Sequence, residues 1–171
     1  TLATPATAPV TVDYLMETGP RTPTSLSGMW VRVVRSGNMM SAWFSRDGVD
    51  FTQQGTNQTI SMASTSYLAG IFVTSGSNGT SASLQIDSLS INGLSAGGST
   101  GAITTAAIGT QNPAAGGYTE TSGLYHIIAG GPDISLTSTL DNGRMVYVPV
   151  SNSVNCTVTA RVLGLTGGSS S

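Results

Sequence analysis

A chain of 171 residues has the length of one domain with a real core and is short for two. Charged residues are 8 % of it and the net charge is −2, which excludes a field that would gather nucleic acid or anionic lipid. All six positive side chains are arginines, at 21, 32, 35, 46, 144 and 161, and a charge-rich disordered chain is excluded by the same figures. No apolar run reaches membrane-spanning length and no signal peptide is present, so no membrane insertion is expected; the start at Thr1 reads as a mature or excised segment.

In chain order, "TLATPATAP" (1–9) is small and Pro-rich, and "VTVDYLME" (10–17) is the first run with a two-residue alternation. Strands are then expected at 29–36 ("MWVRVVRS") and 39–46 ("MMSAWFSR"), with a Ser-Gly-Asn turn between them and a third strand beginning near Phe51. Further strands are expected at 67–75, 81–91, 124–130, 144–151 and 155–165. Asp47-Gly48 and Asn142-Gly143 tolerate positive φ and favour tight hairpins. In "SLQIDSLSI" the apolar phase slips between Ile86 and Leu89, which predicts a bulge near Asp87. "NGLSAGGSTGA" (92–102) reads as a Gly/Ser-rich linker between a long front part, 1–91, and a back part, 103–171. No stretch has sustained helical periodicity, and the fold class is all-β, a sandwich or barrel.

The chemistry-bearing residues are sparse. His126 is the only histidine and sits in the apolar run "LYHIIAG"; no G-x-S-x-G elbow accompanies it, and the acids Glu17, Glu120 and six aspartates fall mostly in turns. No enzyme is expected. Cys156 is alone in "VNCTVTARV" and reads as a buried small hydrophobe. No cofactor is expected; Asp47, Asp50, Asp133 and Asp141 are the calcium candidates, and a hard cation would need several oxygens gathered about 2.4 Å away. Asp47 reads first as a turn residue that accepts local backbone hydrogen bonds. One of Trp43 and Phe44 must face away from the core, because neighbours in a strand point to opposite sides. With Tyr67 and Tyr125 these are the candidates for a ligand or subunit contact. Trp30, Arg32, Arg35, Asp47, Gly48 and Asp87 read as structural: Arg32 and Arg35 have opposite parity, so one faces inward or pairs near Asp87 while the other is solvated. Asn57, Asn78 and Asn155 open glycosylation sequons.

"WVRVVRSGNMMSAWFSRDGVDFTQQG" followed by "YLAGIFVTSGSNGTSASLQIDSLSI" resembles the second half of concanavalin A-like (laminin-G-like) jelly-roll modules of large bacterial extracellular repeat proteins. The marks are Trp30, Arg32, Arg35 to Asn38, Ser45, Asp47-Gly48, Gly70, Val73 to Ser75, Asn78-Gly79 and Ile86-Asp87, with Phe51 where that family has Trp. "AAIGTQNPAAGGY", "AGGPDI" and "VYVPVSNSVNCTVTARV" resemble the opening half of the same module. The halves therefore stand in swapped order. The resemblance implies a concanavalin A-like antiparallel β-sandwich (jelly roll), closed on itself or completed by strands from a neighbouring copy, placed outside the cell or on its surface. The order admits a permutant that closes on itself, one period of a tandem array, or exchange of half-domains between subunits. The expected function is a non-catalytic structural module, self-associating or tandemly repeated in a surface protein or filament, whose partners are copies of itself. The alternative is a lectin-like carbohydrate-binding module with glycans as partners.

Overall fold

The computed structural model describes residues 27–62, 64–91, 94–95, 103–109, 116–131 and 142–167. They form strands β1 (Trp30–Ser36), β2 (Met39–Ser45), β3 (Thr52–Thr59), β4 (Ser66–Val73), β5 (Ser77–Ile91), β6 (Leu94–Ser95), β7 (Thr104–Ile108), β8 (Gly117–Thr121), β9 (Leu124–Gly131), β10 (Gly143–Ser151) and β11 (Cys156–Gly167), with no helix among the described residues. The large sheet runs β3-β2-β1-β11-β5-β9-β8, with β6 paired to β5; the small sheet runs β4-β10-β7. All pairings are antiparallel.

The front and back parts of the chain alternate across both sheets. β11 lies between β1 and β5, β9 lies beside β5, and β10 lies beside β4. Neither part has a complete sheet by itself, and within one chain each fills the gaps of the other. The expected strand at 10–17 falls outside the described residues. The expected linker contains a strand: β6 turns back on β5, with Ile91 opposite Leu94.

Local chemistry sets the turns. Ser36 pairs with Met39 around Gly37-Asn38, and only Gly37 has positive φ (59°), the pattern of a two-residue turn with glycine first. Thr121 pairs with Leu124 around Ser122 and Gly123, both at positive φ, and the Gly123 amide donates to Glu120 Oε1 at 2.8 Å. The predicted bulge is present: Thr159 faces Ser90 while Arg161 faces Asp87, and Ser88 takes φ 52°. The extra residue lets Ile86 and Leu89 both reach the core. Asn142-Gly143 departs from the hairpin expectation. Gly143 opens β10 in register with Ile108, and a Cβ there would lie 2.4 Å from both the Phe72 ring and the Val73 carbonyl oxygen. Close approach, rather than turn geometry, calls for glycine at 143.

The small sheet packs over β11, β5 and β9. Ala82, Ile86, Leu89, Ile127, Val146 and Ala160 are buried there, and Ile127, Val146 and Ala160 have no exposed surface. Strand alternation places these residues on the facing sides of the two sheets. The flank β3-β2-β1 is different, because its only buried residues are Arg35 and Ser45.

Candidate functional site

The outer face of the large sheet collects Trp30, Arg32, Trp43 and Asp87 from the residues singled out in the sequence. Val31 packs on the core, so its strand neighbours Trp30 and Arg32 point outward. Register then aligns Gln53, Trp43, Arg32, Thr159 and Ser90 across five strands, and Ser45, Trp30, Arg161 and Asp87 in the next row. Trp43 is thus the outward ring, and Phe44, opposite Val31, is the inward one.

Each row is held by its own contacts. The Arg32 guanidinium lies 3.5 Å from the centroid of the Phe51 ring, and Arg32 Nε donates to Thr159 Oγ1 at 3.2 Å. Trp43 Nε1 donates to Ser41 Oγ at 2.9 Å, and Gln53 Nε2 donates to Asn57 Oδ1 at 2.7 Å. In the second row Arg161 grips Asp87 with two donors, Nε to Oδ1 at 2.8 Å and Nη2 to Oδ2. That hydrogen bonding holds the Asp87 carboxyl below its ordinary range and raises the Arg161 guanidinium. The same guanidinium sits 5.8 Å from the Trp30 ring, and Trp30 closes over Gly48, where a Cβ would come within 2.6 Å of the indole. Asp87 therefore pairs with Arg161, not with Arg32 or Arg35.

Asp47 is a turn residue in the sense expected. Its Oδ1 accepts from the amides of Val49 (2.9 Å) and Asp50 (3.0 Å) and from Ser45 Oγ (2.8 Å). These donors, the Val49 amide foremost, lower its pKa to about 2. Asp50 is exposed in the same turn, and Asp133 and Asp141 lie outside the described residues. Among the described residues no three His, Cys, Asp or Glu side chains gather where they could hold a metal.

Arg35 turns inward at the far end of β1, with 3 % of its surface exposed. Its Nη1 donates to the carbonyls of Asn152 (3.1 Å) and Val154 (3.3 Å), and Nη2 donates to Asn152 Oδ1. Its guanidinium stacks 4.4 Å from the Tyr67 ring, and Tyr67 Oη donates to Val154 O at 3.1 Å. Arg35 thus clasps the turn between β10 and β11 to the start of β4, while Nε has no partner. Burial raises the thiol pKa of the neighbouring Cys156 and, more than the Arg35 contact lowers it, the pKa of Tyr67.

The remaining candidates scatter. Tyr125 is 2 % exposed and faces the core beside Tyr118, at 6.2 Å between ring centroids, so its ring offers no surface to a ligand. Burial pushes its hydroxyl up to about 12. His126 faces outward, with Nε2 hydrogen-bonded to Ser83 Oγ at 2.7 Å. Asn57, Asn78 and Asn155 are all exposed, and Asn155 Oδ1 accepts from the Gly37 amide at 2.9 Å.

What this face can do is stack and hydrogen-bond. The Trp43 indole, flanked by an amide and hydroxyls, can receive a flat apolar surface or neutral polar groups. Two carboxylates of the large sheet and its turns are engaged, Asp87 with Arg161 and Asp47 with turn amides. One contributor escaped the sequence reading: Arg161 is matched to Asp87 only through the bulged register. The strand expected to begin near Phe51 is β3, "TQQGTNQT", whose amides and hydroxyls on both sides leave no alternation to mark its extent. No protein-family model, curated protein or solved structure matches the chain.

Proposed function

We propose that the chain is a non-catalytic extracellular structural module that associates with copies of itself or recurs in tandem in a surface protein or filament. Its architecture in this reading is a concanavalin A-like jelly roll whose halves stand in swapped order. The alternation of front-part and back-part strands in both sheets supports that order. It also favours a chain that closes on itself over exchange of half-domains.

The observation that carries self-association is β3. It is the outermost strand of the large sheet among the described residues, eight residues long, with no charged residue and no proline. Edge strands are normally blunted by lysine, proline or shortness, because their unpaired amides and carbonyls template further pairing. β8, at the opposite edge, is five residues long and carries Glu120. β3 has one blunting device, a bulge at Gly55 (φ 67°) opposite the shift between Met40 and Ala42. Pairing of β3 with its counterpart about a two-fold axis would make one continuous sheet through two modules, with Gln and Asn side chains in register. Sedimentation velocity tests this. The native chain is expected to sediment as a dimer or larger species, and Thr56→Lys with Gln58→Lys as a monomer. A native chain that stays monomeric up to millimolar concentration sinks the reading.

A lectin-like reading has one specific support, the outward Trp43 in register with Gln53. It predicts quenching or enhancement of tryptophan fluorescence by an oligosaccharide, lost in Trp43→Ala. Glycan arrays without a hit on the native chain would overturn it.

A further inference from the structure

In an Asn-Gly or Asp-Gly pair the side-chain carbonyl carbon and the next amide nitrogen can close a five-membered ring, and glycine has no Cβ to shield that amide. Among the described residues three such pairs occur, Asp47-Gly48, Asn78-Gly79 and Asn142-Gly143, and the fold treats them differently. At the first, the Gly48 amide donates to Ser45 Oγ at 2.9 Å, and Asp47 Oδ1 accepts from the Val49 and Asp50 amides. At the third, Asn142 is 8 % exposed and Gly143 stands in the β10–β7 ladder opposite Ile108. A Cβ on Gly131 would lie 2.6 Å from Asn142 Cβ, so that side chain is hemmed in. Both pairs are clamped. At the second, the ladder between β5 and β9 passes from Ser77 opposite Gly131 to Ser81 opposite Gly130. Residues 78–80 bow out between those pairs, all three exposed, with Gly79 at φ 82°.

We propose that Asn78-Gly79 is a self-modification site at which the chain deamidates through a cyclic imide. Gly79 N, losing its proton to solvent base, attacks Asn78 Cγ; the Cγ–Nδ2 bond breaks and ammonia leaves with a proton from solvent. Water then opens the ring. Cleavage between Asn78 C and Gly79 N leaves isoaspartate, and cleavage between Cγ and Gly79 N leaves aspartate. Isoaspartate adds a methylene to the main chain, which a bulge takes up without moving the ladder on either side. The base of the bulge is pinned: Ser75 Oγ donates to Ser77 O at 2.8 Å and accepts from the Gly131 amide at 3.1 Å, and Thr80 Oγ1 donates to Ser77 O at 3.3 Å. Each conversion adds one negative charge to a chain of net charge −2 and removes the acceptor amide of the Asn78 sequon. The site is independent of the β3 edge, so either proposal can fail alone.

Peptide mapping of the full chain by mass spectrometry, after incubation in heavy-oxygen water, is the test. In the folded chain the Asn78 peptide is expected to take up one heavy oxygen and to split into isoaspartate and aspartate forms, faster as pH rises. Asn142 should convert at least about tenfold more slowly, because its strand must open before the ring can close. In denaturant the two sites should convert at similar rates. Asn78→Gln, which would need a six-membered ring, should leave the peptide unlabelled over the same time. Equal conversion of Asn78 and Asn142 in the folded chain overturns the inference. So does a folded-state slowing of Asn78 as large as that of Asn142.

Discussion

The centre and the flank of the large sheet are made of the same element with different fates. In β5, β9 and β11 the inward positions are Ala, Ile, Leu, Tyr, Cys and Val, and many are fully enclosed by β4 and β10. In β1 and β2 the inward positions are equally apolar, yet the residues buried in that flank are a serine in a turn network and an arginine in a clasp. Alternation thus declares which side of a strand is apolar, while burial depends on whether another layer lies above it. The flank is ordered by directional contacts: the Arg35 clasp, the Arg32–Phe51 stack, the Trp30–Gly48 closure and the Asp47 turn. The centre is ordered by packing.

Substitutions can break that contrast or sharpen it. Ile127→Ala, at a site with no exposed surface, should cost about 2–5 kcal/mol in denaturant unfolding, from lost transfer energy and the cavity left behind. Arg35→Ala should follow at about 2–3 kcal/mol, because it removes the charged donor to the Asn152 carbonyl and side-chain oxygen and leaves Val154 O with Tyr67 Oη alone. It should also raise protease sensitivity at the turn between β10 and β11, which Ile127→Ala should not do selectively. Phe44→Ala should cost about 1 kcal/mol, since the described strands bury its ring only in part. A loss as large as that of Ile127→Ala would erase the distinction between the two regions.

The smallest effect is confined to acid. The Asp47 carboxyl is lowered to about 2 in the fold, against an ordinary value near 3.9, so the ionised form is the one the turn favours. Its contribution is fully present above the ordinary value and disappears as pH falls through about 2. Asp87, lowered by Arg161, acts in the same sense. The stability difference between the native chain and Asp47→Asn should therefore be constant above about pH 5 and shrink steadily below about pH 4. A difference that grows on acidification would contradict the turn network.

Much of this was legible because antiparallel strands with one buried face write their period into the sequence. β1, β2, β4, β5, β9, β10 and β11 follow from alternation, and the bulge at Ser88 follows from a slip in phase. β7, β8 and the extent of β3 beyond its start near Phe51 were not legible for a common reason. They lie at sheet edges, where hydroxyls, amides and small residues on both sides leave no period to read. Parity showed that one of Arg32 and Arg35 turns inward. It could not show which, because that depends on the facing of a whole sheet. Gly143 was misread as a turn residue since sequence carries no sign of the Phe72 ring that crosses it.

The position of β11 has a consequence for synthesis. It is the last described strand to leave the ribosome, yet it is the seam that joins β3-β2-β1 to β5-β9-β8, with Trp30 waiting for Arg161. At ~5–20 residues per second, the nascent chain spends roughly 2–7 s between completing β9 and completing β11 with two unjoined half-sheets and their apolar faces exposed. Such non-local closure makes for slow folding and for dependence on chaperones or a low local concentration of nascent chains.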